Sequence, residues 1–255
     1  MEFDKELKNH NLKGYKKYLR HVSVDNVIFG FYQNKLKVLL LKSKYAGLWS
    51  LSGGFILKDE PIDNSAQRIL KERTGLEKIF LQQFHVFSDP GRSTKEVNQQ
   101  FLKNIGVNLD KSWMFERFIT IGYYALVNFT KVKPAPDNIS MSCEWFSIDN
   151  LPEMMLDHRD IIDEALKSLR LQFYFHPIGY NLLEQKFTMP ELQKLYETIL
   201  DKKLDRRNFQ RKIISTGIVK KLKETKKGVA HKAPFYYKFD LPNYKKALQG
   251  GLGLF

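Results

Sequence analysis

The run from Gly54 to Leu76 (GFILKDEPIDNSAQRILKERTGL) restricts this chain more than any other. Gly53 and Gly54 close an approach that begins at Trp49, and they permit a backbone path that bulkier residues would obstruct. A helix is expected from about Asn64 to Thr74, stopped at Gly75, where a left-handed cap needs no Cβ. Residues 69, 72 and 73 then share one helical face, because offsets of three and four are neighbours. Glu60 and Arg68 carry opposite charges and can pair to fix the preceding loop against the helix.

The flanking segments read as a mixed α+β domain ending near Leu156. His21 to Phe31 and Leu36 to Leu41 are β-rich runs joined through Tyr32-Gln33-Asn34-Lys35, which reads as a hairpin with a longer loop. Further strands are expected at Phe80 to Phe87, Phe118 to Asn128 and Glu144 to Ile148, with a polar, partly helical insert from Ser93 to Arg117. Cys143, the single cysteine, can form neither an internal disulfide nor a zinc site and is expected in the core. His85 and His158 are isolated, so no metal is assigned to them. The first residues are charged throughout and no apolar run approaches the ~20 residues of a membrane span, so a soluble, cytoplasmic protein with no membrane partner is expected.

Beyond residue 157 the character changes. Arg159 to Leu171 places Ile161, Ile162, Ala165, Leu166 and Leu169 on one face of a helix that stops at His176-Pro177, a bridge over residues 158–176 between a domain at 1–157 and another at 177–255. Thr188 and Glu191 form a capping box for a helix to about Leu200, with Phe187 stapled onto Leu192. Asp205 caps a second helix through Ser215, closed by Gly217. Ile218 to Leu222 and Pro234 to Phe239 read as strands around a lysine-rich loop. Two helices in quick succession before a basic hairpin is the order of a winged helix-turn-helix.

Charge sharpens this reading. Residues 181–255 hold 17 Lys and Arg against seven Asp and Glu, ten of the chain's net +14. Such a one-sided excess suits a polyanion. Arg206, Arg207, Asn208, Gln210, Arg211 and Lys212 lie on the second helix, while Phe209, Ile213 and Ile214 form its apolar side. Arg can bond bidentately to guanine, and Asn or Gln to adenine, so this set is suited to double-stranded DNA. Lys220, Lys221, Lys223, Lys226, Lys227 and Lys232 are expected against phosphates, supplying affinity rather than sequence choice.

Gly54, Glu60, Arg68, Leu70, Glu72, Gly75 and Leu76 match at correct spacing a known pattern, G-x5-E-x7-R-E-U-x-E-E-x-G-U. The segment therefore resembles the Nudix box, and the resemblance implies the Nudix fold. Nudix hydrolysis needs divalent metals held by carboxylates. The three box glutamates of the family read Ile69, Glu72 and Arg73 here, so two of the three ligands are gone and no catalytic residue, cofactor or metal is expected. What survives is a pocket for binding without turnover. Asp89, Arg92 and Tyr124 are candidates to line it, being at or beside strand ends.

The run His176 to Lys212, with Leu156-Asp157-His158 before the bridge helix, resembles the Nudix-related transcriptional regulators. That resemblance implies a degenerate Nudix sensor and a winged helix that binds operator DNA as a homodimer. It implies an effector of the ADP-ribose type or a pentose such as arabinose, control of sugar or NAD catabolic genes, and a DNA-reading role for Arg206, Arg207, Asn208 and Arg211. A Nudix hydrolase using Glu60 and Glu72 is the alternative.

Overall fold

The structure is a computed structural model, and it describes residues 14, 16–44, 46–75, 77, 79–92, 116–132, 134–136, 140–228 and 233–250. Leu76, Lys232 and all but the last two residues of the 93–117 insert lie outside them. Seven strands, β1 (Tyr18–Tyr32), β2 (Lys35–Ser43), β3 (Trp49–Ser50), β4 (Ser52–Leu57), β5 (Leu81–Phe87), β6 (Ile119–Val127) and β7 (Ser140–Ser147), make one sheet. Its order is β3-β2-β1-β6-β5, with β4 also paired to β1 and β7 to β2. The long central strand β1 buries Val27, Ile28 and Phe29 wholly and in succession, as expected of a strand covered on both faces.

The β1–β2 connection is tighter than the sequence suggested. Only Gln33 and Asn34 separate the strands, at φ of 49° and 60°. Positive φ at both central residues is the mark of the type I′ hairpin, whose twist matches that of the strands. Asn tolerates this conformation well, while Gln33 is drawn into it by the pairing on either side.

Helix α1 (Ile62–Thr74) follows β4 and ends at Gly75, which has φ 72° and donates its N–H to the Lys71 carbonyl at 2.8 Å. Its inner face adds Ala66 and Ile69 to Val24, Ile56, Ile121 and Tyr123 from β1, β4 and β6. This cluster fixes how the helix lies over the sheet, and so where residues 68, 72 and 73 point. Cys143 is buried on β7, which pushes its thiol up to about 11.

The chain divides into two compact units, one of residues 1–29, 38–125 and 132–165, the other of 30–37, 126–131 and 166–255. Helix α2 (His158–Phe175) carries the chain from the first to the second. In the second, β8 (Phe187–Thr188), β9 (Val219–Thr225) and β10 (Phe235–Phe239) form a sheet of order β8-β10-β9. Helices α3 (Met189–Leu200) and α4 (Arg206–Ser215) pack through an edge-on contact of Tyr196 with Phe209, ring centroids 5.5 Å apart. The fold is thus α+β, a mixed-sheet domain followed by a winged helix. A fifth helix, α5 (Leu241–Gly250), was not anticipated; it buries Tyr244, whose hydroxyl accepts from the Tyr180 N–H at 3.2 Å.

Candidate functional site

Arg68 organises the loop before α1. Its guanidinium donates to both Glu60 carboxylate oxygens, at 2.9 and 3.1 Å, to the Phe55 carbonyl at 2.9 Å and to Glu72 at 3.2 Å. The Ser65 hydroxyl adds a bond to Glu60 at 2.5 Å. Burial works against the Glu60 charge, but Arg68, Ser65 and the Leu57–Glu60 backbone contact together hold its carboxyl below the usual value. A carboxylate lowered on folding contributes stability above its unfolded pKa and loses it as pH falls through the folded one. Urea midpoints taken between pH 7 and 3 should therefore fall below about pH 4, the unperturbed glutamate range, and Glu60→Gln should flatten that dependence. An unchanged slope in the variant would rule out this assignment.

The face that would present carboxylates to a metal is differently built. Ile69 is 1% exposed and lies so close to Gly54 that a Cβ there would come within 2.9 Å of it. Glu72 is exposed and bonded to Arg68. Arg73 is half-buried and donates its Nε–H to the Gly53 carbonyl at 3.3 Å. Burial pulls its guanidinium below the ordinary value, and the Glu72 and Asp25 carboxylates act in the opposite sense. Asp25, on β1 and 6% exposed, accepts from the Thr120 hydroxyl at 2.8 Å. It presses so closely on Gly53 that a Cβ there would stand 2.2 Å from its Oδ1. Among the described residues, no three His, Cys, Asp or Glu side chains group as a metal site.

The second candidate site is α4 and the hairpin after it. Asp205 caps the helix by accepting the Asn208 N–H at 2.8 Å. Phe209 and Ile213 turn inward, leaving Arg206, Arg207, Asn208 and Arg211 exposed and Gln210 and Lys212 half-buried. Arg211 donates to the Asn208 side-chain oxygen at 2.9 Å, which pre-orients both groups. On the hairpin Lys223 and Lys227 are exposed. Lys226 instead bonds at 2.7 Å to Glu191, the residue that completes the α3 capping box. Burial opposes the Glu191 charge, and Lys226 and Thr188 more than offset it. Lys220 is held by Asp240 at 2.7 Å, and Lys221 lies 3.6 Å over the Phe235 ring.

Comparison with known proteins agrees with both halves. Residues 19–165 match the NUDIX domain. The chain belongs to the NUDIX family. Residues 179–239 match the NrtR DNA-binding winged helix domain, so the NUDIX domain is followed by a winged helix of that type. The chain is 28% identical over 231 residues to an ADPR responsive transcriptional repressor NtrR of Acinetobacter baylyi, covering 88% of this chain and 83% of that one. It is also 28% identical over 167 residues to an ADP-ribose pyrophosphatase of Methanocaldococcus jannaschii, 64% of this chain and 83% of that one. In fold it resembles the crystal structure of Shewanella oneidensis NrtR complexed with a 27mer DNA, with a TM-score of 0.69 at 21% identity over 89% of this chain and 96% of that one.

Within the NUDIX domain, Asp89, Arg92 and Tyr124 each have separate partners. Asp89 accepts the Gly91 N–H at 2.6 Å and so closes its own loop. Arg92 forms a fork with Asp157 at 2.7 and 2.9 Å and donates to the Phe118 carbonyl at 3.1 Å. Tyr124 is wholly buried among Phe29, Phe80 and Phe84, which leaves it no surface for a ligand. Sequence reasoning missed Asp25, Thr120 and the role of His158. The His158 Nδ1 accepts the buried Leu51 N–H at 3.0 Å, and its Nε2 lies 3.9 Å from Asp25. A charged residue next to the apolar run Val27–Phe29 of β1 was the available signal for Asp25.

Proposed function

We propose that this chain is a transcriptional regulator whose winged helix binds operator DNA and whose NUDIX domain binds an ADP-ribose-type nucleotide without hydrolysing it. The observation that carries the reading is the pairing of two features in one chain. The box face presents Ile69 and Arg73 where hydrolysis needs carboxylates, and the chain continues into a capped, exposed basic helix with a lysine-bearing hairpin. The likeness to an ADPR responsive repressor supports both the effector class and the role. Arg206, Arg207 and Gln210, near the α4 N-terminus, read base edges, with Asn208 and Arg211 beside them and Lys212 flanking. Lys223 and Lys227 sit against phosphates, and Lys226 reinforces the hairpin root as well as adding charge. Two-fold half-sites suit a homodimer, and such a protein acts in the cytoplasm where the DNA is. No helix among the described residues is long and apolar enough to cross a membrane.

Fluorescence anisotropy with the chain's own upstream duplex and a scrambled one tests this, in the presence of ADP-ribose or L-arabinose. The expected result is sequence-preferring affinity that falls steeply with salt and changes with ADP-ribose. A response to arabinose alone would move the effector class to pentoses. Equal weak binding to both duplexes, flat with salt and unmoved by either ligand, would overturn the proposal. The retained Glu60 and Glu72, with the likeness to an ADP-ribose pyrophosphatase, favour hydrolysis as the second reading. Metal-dependent release of AMP from ADP-ribose, abolished by Glu72→Gln, would establish it.

A further inference from the structure

Divalent metal does not fit the box of this domain. A hard cation demands several oxygen ligands, predominantly carboxylates in a site of this kind. Position 69 offers an apolar branch packed on Gly54, and Glu72 is already bonded to Arg68. Position 73 offers a fixed positive charge. The Asp25 carboxylate on β1 is buried against Gly53 and bonded to Thr120.

The same residues do fit an anion. Arg73 is anchored rather than trailing in solvent, since its Nε–H bonds to the Gly53 carbonyl on β4. That anchor leaves the planar guanidinium held in one orientation, as recognition of a phosphate group requires. Its charge is partly withdrawn from water, so an anion brought beside it is attracted more strongly than at an open surface.

We infer that Arg73 takes the place of the divalent ion, its guanidinium receiving the diphosphate of the effector directly, so that effector binding is independent of metal. This rests on the reading of the domain as a nucleotide sensor. It also gives that sensor a property that a metal-loaded relative lacks: its response to nucleotide is insulated from changes in free Mg²⁺.

The test is isothermal titration of the full chain with ADP-ribose in buffer containing EDTA and again with excess MgCl₂. Equal dissociation constants in the two buffers are expected. Arg73→Gln should weaken binding roughly ten- to a hundredfold in EDTA, the loss of a hydrogen bond to a charged group, and Arg73→Lys should lose less. Arg73→Glu should abolish binding in EDTA and regain part of it with Mg²⁺. Circular dichroism melts of each variant distinguish loss of contact from loss of fold, and the wild-type comparison needs no variant at all. Wild-type binding that requires Mg²⁺, or Arg73→Gln binding as tightly as wild type, would overturn the inference while leaving the sensor reading intact. No binding in either buffer would overturn both.

Discussion

Arg92→Ala should lower the unfolding free energy of the NUDIX domain by roughly 3–5 kcal/mol, the cost of leaving one member of a buried ion pair uncompensated. The Arg92 side chain is 5% exposed and that of Asp157 is 15%, and two parallel bonds at 2.7 and 2.9 Å join them. Removing the guanidinium also strips a donor from the Phe118 carbonyl at the start of β6. Arg92→Lys should recover little, because an ammonium cannot reproduce the fork. The double change Arg92→Met, Asp157→Leu should recover most of the loss, since it removes both charges together. All three tryptophans precede residue 150, so urea unfolding followed by their fluorescence reports this domain. A cost for Arg92→Ala of less than about 1 kcal/mol would mean that the pair behaves as an exposed one.

Phe209→Ala should have an effect of similar size on the other domain, roughly 3–5 kcal/mol for truncating a buried phenylalanine. Phe209 is 2% exposed and meets the Tyr196 ring edge-on, and Tyr196 in turn meets Phe173 at 5.1 Å. The basic side chains of α4 depend on this anchor for their presentation. DNA affinity should therefore collapse while nucleotide binding, titrated calorimetrically, persists. Melts of the variant should separate into two transitions, as expected when one domain is selectively weakened. Unchanged DNA affinity would show that α4 is not the reading element.

Features set by neighbours in sequence were the legible ones. Gly75 and the Thr188–Glu191 box were readable because a cap is a local arrangement of a few residues, and both are formed as expected. The Glu60–Arg68 pair was readable from charge and an eight-residue offset across one turn of loop and helix. Strand β8 was hidden by its own capping box: Phe187 and Thr188 announce a helix start locally, and only pairing with Tyr236 and Tyr237 makes them a strand. Helix α5 was missed although the Asp240 carboxylate accepts the Asn243 backbone N–H as a cap and Leu241, Tyr244 and Ala247 recur at helical spacing. Its shortness and the glycines at 250, 251 and 253 masked that period. The surroundings of Arg73 were beyond reach for a different reason. Asp25, Gly53, Thr120 and His158 converge from four elements spread over 134 positions, and nothing local in any one of them names the others. Likewise nothing near Lys226 in sequence announced its bond to Glu191, 35 residues away.

The packing of Ile69 bears on the history open to this chain. A return to glutamate at that position would place a carboxylate where Val24, Ile56, Ala66, Ile121 and Tyr123 now close around an aliphatic branch, with Gly54 at van der Waals distance beneath it. Burying an unpaired charge there costs stability before any metal can repay it, and the second ligand position is still occupied by Arg73. Each reverting step alone is therefore unfavourable. On the proposed reading, in which the domain binds its nucleotide without hydrolysing it, ordinary core packing would keep single mutations at position 69 from building an enzyme that destroys its own signal.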